Sequence, residues 1–293
     1  MPTPLRLCTT LALVAAGVAA APSGAAVSRP HRSVVAAGVN GAAAVDGGHL
    51  VAWGDDDGLT VLDDRTGDTT DLPLYRPCDK VYPIDGSQGV FLVNCRVFGA
   101  AGTESHQLVA EAGSGTVSEL AGNTYRSVGR YWVRGTLEVE NRRQVVYTNW
   151  LTGETRLFRA PLAGQNYTPF DLDTPDLEPV ALAGPEFVTG SSMALEQVKR
   201  GRNYVIRVIG PTTDRVVYRS VHRSLLVSVK GGLALWRNGS RKLFGYAYRS
   251  ERRLEWRISE SAVVRGSTGR RVYYLTPKLS NPQHSDLRAF AWR

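Results

Sequence analysis

Little in this sequence announces a chemistry. Its 293 residues include three cysteines, two methionines and, by count, five lysines. It contains no Gly-x-Ser-x-Gly, no His-Glu-x-x-His, no Cys-x-x-Cys and no Gly-x-x-x-x-Gly-Lys-Ser/Thr. The nucleophile elbow, the helical zinc site, the redox pair and the phosphate-cradling loop are therefore not encoded in their usual forms. His31, His49, His106, His222 and His284 are scattered without metal-ligand spacing. No metal or cofactor is expected. Long apolar runs are scarce too. The uncharged stretch Leu7–Ala21 has 15 residues, against about 20 for a membrane span. No transmembrane span is expected, and Ser192–Lys199 is the best helix candidate in a chain without a convincing long helix.

The amino end reads as a leader. Arg6 precedes the uncharged stretch, and small residues cluster in Ala19-Ala20-Ala21 and Gly24-Ala25-Ala26. A charged start, an apolar centre and a small-residue exit mark a secretory signal peptide. Cleavage is expected after Ala26, so residues 1–26 form the signal and 27–293 the mature domain. Removing Cys8 with the leader leaves Cys78 and Cys95, an even pair in an exported chain. Asp85–Gly89 reads as a hairpin turn. A hairpin symmetric about residues 86 and 87 sets position 78 opposite 95, within disulfide reach.

What the chain has in quantity is apolar residues (43%) and glycine (30). That apolar content supports a substantial core. Charge is divided unevenly. Residues 27–190 carry 13 basic and 21 acidic side chains, and residues 191–293 carry 21 and 6. A basic carboxy-terminal half can be a solvated surface or a surface for polyanions.

Glycine is also periodic. Gly48, Gly89, Gly129, Gly184, Gly232 and Gly269 each precede a short apolar or aromatic run, at intervals of 41, 40, 55, 48 and 37 residues. Repeats of about 40–50 residues built from short strands predict propeller blades. A second marker agrees. Asp64–Leu72 parallels Trp150–Phe158, each with Thr-Gly at the centre of a tight turn between a third and an outer strand. Ala112–Thr116 and Trp236–Ser240 are weaker versions. This pattern resembles the TolB-like and WD40-like β-propeller group of secreted bacterial proteins. The resemblance implies an all-β fold. Six four-stranded blades are expected, with inner strands beginning near Ala42, Val81, Arg126, Val180, Leu225 and Ala262. Ser285–Trp292 and the amino-terminal Ser33–Gly38 would complete the sixth. Most tryptophans fall on these strands and belong between blades, Trp150 being the one expected to reach solvent.

Candidate binding residues come from loop length. Arg96–Glu104, Gly135–Arg143, Leu162–Pro179 and Gly190–Asn203 are long connections, and such loops often carry function. They are expected to form a recognition surface on one face over blades two to four. Glu138 and Glu140 alternate on one strand face, about 7 Å apart at the backbone, with Arg142 following. Tyr167, Asp171 and Asp173 belong to an acidic loop. Lys199, Arg200 and Arg202 form a basic turn. The leading expectation is a secreted, non-enzymatic, monomeric binding or scaffolding module at the cell envelope, for a protein or glycan ligand. The alternatives are a polysaccharide lyase or hydrolase using these carboxylates, and a polyanion-binding adhesion module using the basic half.

Overall fold

The computed structural model describes residues 32–292 except 56–57, 75–76, 123, 140–141, 161–168, 181–185, 191, 240 and 282. The leader expected over residues 1–26 lies outside the described residues. The chain forms six four-stranded antiparallel sheets arranged as a six-bladed β-propeller, with no helix among the described residues. The inner strands are Ala43–Val45, Lys80–Ser87, Thr124–Val128, Glu186–Gly190, Leu225–Lys230 and Val263–Ser267. In blades 1 to 5 the chain steps outward strand by strand. Blade 6 is composite. Its inner three strands end with Ser285–Ala291, and its outer strand is the amino-terminal Arg32–Val39.

Each sheet is buried on both faces, because neighbouring blades pack face to face. Blades 6 and 1 meet through Val51, Trp53, Tyr273 and Leu287. Blades 1 and 2 meet through Val61, Val81, Phe91 and Leu108. Leu195, Ile206, Trp236 and Tyr246 join blades 4 and 5. Blades 3 and 4 differ. Their shared space is entered by residues 169–180, whose Leu172 and Leu177 pack on Trp132 and Tyr147 of blade 3. The Leu172 carbonyl accepts the N–H groups of Tyr131 (3.1 Å) and Trp132 (3.2 Å), and the Pro175 carbonyl accepts the Trp132 indole N–H at 2.9 Å. Gly129 makes this approach possible: a Cβ there would lie 2.3 Å from Leu172. The connection expected as a loop over residues 162–179 is thus, over its described part, a wedge inside the ring.

A backbone latch repeats around the ring. The residue just past the third strand donates its N–H to a carbonyl in the turn between the first two strands. The pairs are Asp64 to His49 (2.7 Å), Ala112 to Gly89 (2.9 Å), Trp150 to Tyr131 (3.1 Å), Tyr248 to Gly232 (3.3 Å) and Trp292 to Arg270 (3.1 Å). Blade 4 has Pro211 there, which lacks an N–H. Trp150 and Trp292 add an indole hydrogen bond to the same turn of their own blade. Trp150 is therefore buried, not partly exposed as its place at a strand end implied.

Lys230 bolts the axis. It sits at the end of the inner strand of blade 5 and reaches blade 2, where its ammonium lies 2.6 Å from Asp85 Oδ1 and also donates to the Gly86 carbonyl. Asp85 Oδ2 accepts the Val128 N–H of blade 3 at 3.0 Å. The Lys230 carbonyl accepts the Ser267 hydroxyl of blade 6 at 2.7 Å. Gly190 leaves room for the stem, since a Cβ there would stand 2.6 Å from Lys230 Cγ.

Four local expectations are corrected. The disulfide Cys78–Cys95 is present, with Cα atoms 5.4 Å apart, but Cys95 lies opposite Val81. The hairpin turns at Gln88–Gly89, and a register shift between Pro83 and Asp85 moves the pairing. The inner strand of blade 4 begins at Glu186, not near Val180, so Gly184 precedes an inner strand where the other five glycines precede a second strand. Ser192–Lys199 is not a helix, because Met193–Arg200 is that second strand. Asn238–Gly239 joins a second strand to a third, whereas the turns at Gly67, Gly115 and Gly153 lie before outer strands as expected.

Two outcomes follow for stability. Lys230→Ala strands Asp85 at the axis and is expected to lower the unfolding free energy by about 3 kcal/mol; Asp85→Asn in that background recovers part of it, as read from urea transitions. Replacing both Cys78 and Cys95 by alanine is expected to remove roughly 3 kcal/mol by the chain-entropy argument, measured the same way against the oxidised parent.

Candidate functional site

The two ends of the ring differ. One end carries the turns between first and second strands. The other carries the turns between second and third strands and the connections from blade to blade. On that second end the strands of blades 2, 3 and 4 run long. The hairpins are Val90–Gly99 with Gly102–Glu111, Trp132–Val139 with Arg142–Asn149, and Met193–Arg200 with Asn203–Gly210. Blade 1 has only Leu50–Gly54 with Leu59–Asp63, and blade 5 Leu233–Arg237 with Lys242–Ala247, while blade 6 is intermediate with Arg271–Pro277 and Ser285–Ala291. At roughly 3.3 Å per residue, the blade 2 hairpin stands about 16 Å taller than that of blade 1, and those of blades 3 and 4 about 10 Å taller.

These extensions are held by local contacts rather than by core. In blade 2, Arg96 lies over the Tyr82 ring at 5.0 Å. Ser105 donates to Asn94 at 2.7 Å, and His106 sits 2.8 Å from Glu119 and 3.4 Å from Glu104. The disulfide ties the base of this hairpin through Cys95. Near the tip Phe98 is 51% exposed. In blade 4 the tip is Arg200–Asn203, and the Lys199 ammonium lies 6.0 Å from the Tyr204 ring centre. Lys199, Arg200 and Arg202 are all exposed.

Beside the tall hairpin of blade 4 is a depression of about 580 Å³, lined by the inner strands of blades 4 and 5 through Glu186, Phe187, Val188, Arg223, Leu225 and Leu226. Arg223 pairs with Glu186 at 2.8 Å. The buried Gln197 side chain sets this edge. It donates to Glu186 (2.7 Å) and to the Ser224 carbonyl (3.1 Å) and accepts the Ser224 N–H (2.8 Å). Leu225 is 65% exposed and Val221 62%. A second depression, about 520 Å³, lies at blade 1 among Asp55, Thr60, Asp71, Leu74, Pro77 and Cys78. The Thr60 hydroxyl lies 2.9 Å from Asp71 and 3.3 Å from Asp55. The division of charge in the chain thus becomes a division of the ring, with acidic groups weighted to blades 1–3 and basic groups to blades 4–6.

The predicted residues fall into two groups. Lys199, Arg200 and Arg202 share the hairpin-bearing end with the strands containing Glu138 and Arg142. Glu140 and Tyr167 lie outside the described residues, as do the side chains of Glu138 and Arg142. Asp171 and Asp173 lie in the wedge and meet the opposite end. Asp173 accepts the Arg130 N–H (2.8 Å) and the Ser87 hydroxyl (3.0 Å), while Asp171 accepts the Asp173 N–H at 2.9 Å. No group of three His, Cys, Asp or Glu is arranged to hold a metal among the described residues. Arg223 belongs to the basic half expected to serve the polyanion alternative, whereas Gln197 and Leu225 were not expected as site residues. They sit in short connections or on strands, where loop length gives no signal.

No protein-family model and no curated protein matches the sequence. Among solved structures the chain is similar to an oligogalacturonate lyase in complex with manganese, with 10% identity, 89% of this chain and 93% of that one covered, and a TM-score of 0.49. It is also similar to TolB from Acinetobacter baumannii (12% identity, 74% and 54% covered, TM-score 0.40). A third is BamB from Moraxella catarrhalis (12%, 87% and 85%, 0.36). None of these scores reaches 0.5, so the architecture rests on the strand pairing itself and no ligand is inferred from them.

Burial pushes the Asp171 carboxyl above the usual carboxylate range, and the charges of Asp173 and Glu178 push it the same way. An unfolded aspartate titrates near 3.9. Between that value and the raised folded one, the folded state holds more protons, so the contribution of Asp171 to stability falls as pH rises through this window. Asp171→Asn keeps an acceptor for the Asp173 N–H and removes the charge. It is expected to raise Tm at pH 7, with the gain vanishing below about pH 4, in thermal melts across that range.

Proposed function

We propose that this protein is an exported, non-enzymatic β-propeller that binds or scaffolds a macromolecular partner at the cell envelope. The carrying observation is the one-sided height of blades 2–4. Ordering an extra strand residue costs about 1–2 kcal/mol of backbone entropy, and these extensions add little buried apolar area in return. Rigid hairpins that hold Phe98 and the Lys199–Arg202 cations in solvent suit recognition, where aromatic and arginine side chains dominate binding energy. The apolar depression beside them suits a partner's anchoring side chain.

Export is part of the same proposal. A disulfide bracing the tallest hairpin fits an oxidising compartment, and the leader pattern over residues 1–26 fits passage to one. Membership of the secreted TolB-like and WD40-like group is the finer form of this reading.

The test uses a photo-cross-linking amino acid at Phe98 and, as control, at Leu151. Leu151 is 57% exposed in a turn of blade 3 on the opposite end. Exposed to the envelope fraction of its source, the Phe98 protein is expected to give discrete adducts that the Leu151 protein does not. Equal adducts from both positions, or none from Phe98, would remove the reading.

A further inference from the structure

The depression between blades 4 and 5 joins an apolar floor to a concentration of cations, and the two features point to one ligand chemistry. We propose that it takes an acidic peptide segment of a partner protein, carrying an aromatic or large aliphatic side chain. This rests on the recognition reading of the hairpin-bearing end and narrows it to a substrate class.

The floor comes first. Val188 and Leu226 supply its apolar side chains, the Phe187 ring being turned to blade 3, and Leu225 stands exposed at its edge. Its volume of about 580 Å³ lies within the roughly 300–1,000 Å³ usual for ligand sites. It is open rather than enclosed, which suits a side chain presented from an extended backbone.

Charge selects among apolar ligands. Arg223 lines the depression and is 66% exposed, although Glu186 takes a fork of two hydrogen bonds from it. A guanidinium has five N–H donors, so Arg223 retains donors for an incoming carboxylate. Above it stands the blade 4 hairpin. Glu186 pairs with Gln197 in the strand register, and Lys199 follows two residues further up on the same face, whereas Arg200 shares the face of Glu196, turned from blade 5. At about 3.3 Å per residue Lys199 is roughly 7 Å above the edge, with Arg202 in the turn beyond it. Lys199 and Arg202 have no carboxylate within ion-pair distance among the described residues. On blade 5, Arg241 pairs with Glu260 and Lys242 with Glu255. The exposed Arg257 of blade 5 stands on the outer strand of that blade, so the unneutralised charge next to the apolar floor is that of blade 4. A neutral glycan would leave these cations unused. A nucleic acid or sulfated polymer would use them and leave Leu225 and the floor wet.

The experiment measures binding of two fluorescein-labelled polymers to the full-length mature protein at 50 and 150 mM NaCl. The probes are poly-glutamate, which supplies charge alone, and a random glutamate–tyrosine copolymer, which adds aromatic anchors. The copolymer is expected to bind at least tenfold more tightly. Lys199→Glu with Arg202→Glu is expected to weaken it at least tenfold, and Leu225→Ser to erase the preference over poly-glutamate. Val188→Ser, at another lining residue, serves the same purpose should Leu225→Ser fail to fold. Arg253→Glu with Arg257→Glu, on the outer strand of blade 5, is expected to change neither. The proposal is overturned if the copolymer does not bind, if the two polymers bind equally, or if the blade 5 pair abolishes binding while the blade 4 pair does not. The last result assigns binding to a general polyanion affinity of the rim. Adducts at Phe98 without copolymer binding would defeat this proposal alone; absence of both would defeat the recognition reading as well.

Discussion

One seam closes the molecule. The amino-terminal strand Arg32–Val39 pairs antiparallel with Ser285–Ala291, joining residues some 250 positions apart. Until that seam forms, blade 6 has three strands and the ring has two open ends. Every inter-blade core in the ring assumes that its blades have a neighbour on each face, so each depends on closure. The seam is irregular, with register shifts between Val34 and Ala36 and again before Val39. The polar contacts at the same junction supply what the ladder lacks. Thr268 of blade 6 donates to Asp64 of blade 1 at 2.7 Å, and Arg271 approaches the same carboxylate at 3.3 Å. Non-local pairing of this kind is slow to form, which gives local latches within each blade a reason to exist.

Six blades do not fill the ring by direct packing alone. Between blades 3 and 4 the chain inserts residues 169–180, and their position explains several otherwise unrelated features. Gly129 accepts a backbone at van der Waals distance, and the Trp132 indole N–H is satisfied by Pro175. The rings of Tyr147, Phe158 and Phe170 meet at 4.8–5.4 Å across the same space. Asp171 tolerates burial and repulsion there because its carboxylate orders the wedge. Blade 4 answers with a charged face. Leu195 packs towards blade 5, so the alternating Glu196 faces the other way. There it is buried and paired with Arg207, which also binds Asp214.

The fold was legible wherever the repeat was undisturbed. Glycines at the turn between the first two strands of five blades, and Thr-Gly turns before outer strands, mark positions that backbone conformation restricts. Reading failed where burial or insertion masked the pattern. Met193–Arg200 is covered on both faces, so its apolar residues do not alternate with polar ones, and a helical spacing emerges by accident. Gly184 misleads because the wedge lengthens the connection before it and blade 4 turns at Ser192 without a glycine. The disulfide partners were legible by count, but their register was not, because the hairpin turns at Gln88–Gly89 instead of at residues 86 and 87, and the extra residue between Pro83 and Asp85 takes back only one position of that shift. The aromatic latch at Trp150, Tyr248 and Trp292 was present in the sequence. It went unread because a strand end suggests exposure, while each polar ring edge has a turn carbonyl or amide to meet. For the candidate site, the expected long connections of blades 2, 3 and 4 are instead extended strands joined by short turns. The floor was not legible, since Arg223 occupies a short connection, Leu225 begins an inner strand, and only the ring brings them beside blade 4.

Height and charge are divided along different lines. The tall hairpins belong to blades 2, 3 and 4, and the basic excess to blades 4, 5 and 6. Blade 4 is the overlap. It is also the blade spaced from its predecessor by an inserted segment, with Phe187 of blade 4 joining the blade 3 cluster. A partner held at blade 4 would therefore press on a part of the ring spaced by the wedge, which is itself held by the polar contacts of Asp173 with Arg130 and Ser87. Polar contacts are directional and sensitive to small displacements, whereas apolar packing tolerates sliding. The physical consequence is that the binding end and the opposite end are joined through the wedge, since the segment that spaces blade 4 also meets the turns of blades 2 and 3 on the far side. The position of the blade 4 surface in space is thus set by residues 169–180, although none of those described contributes to that surface.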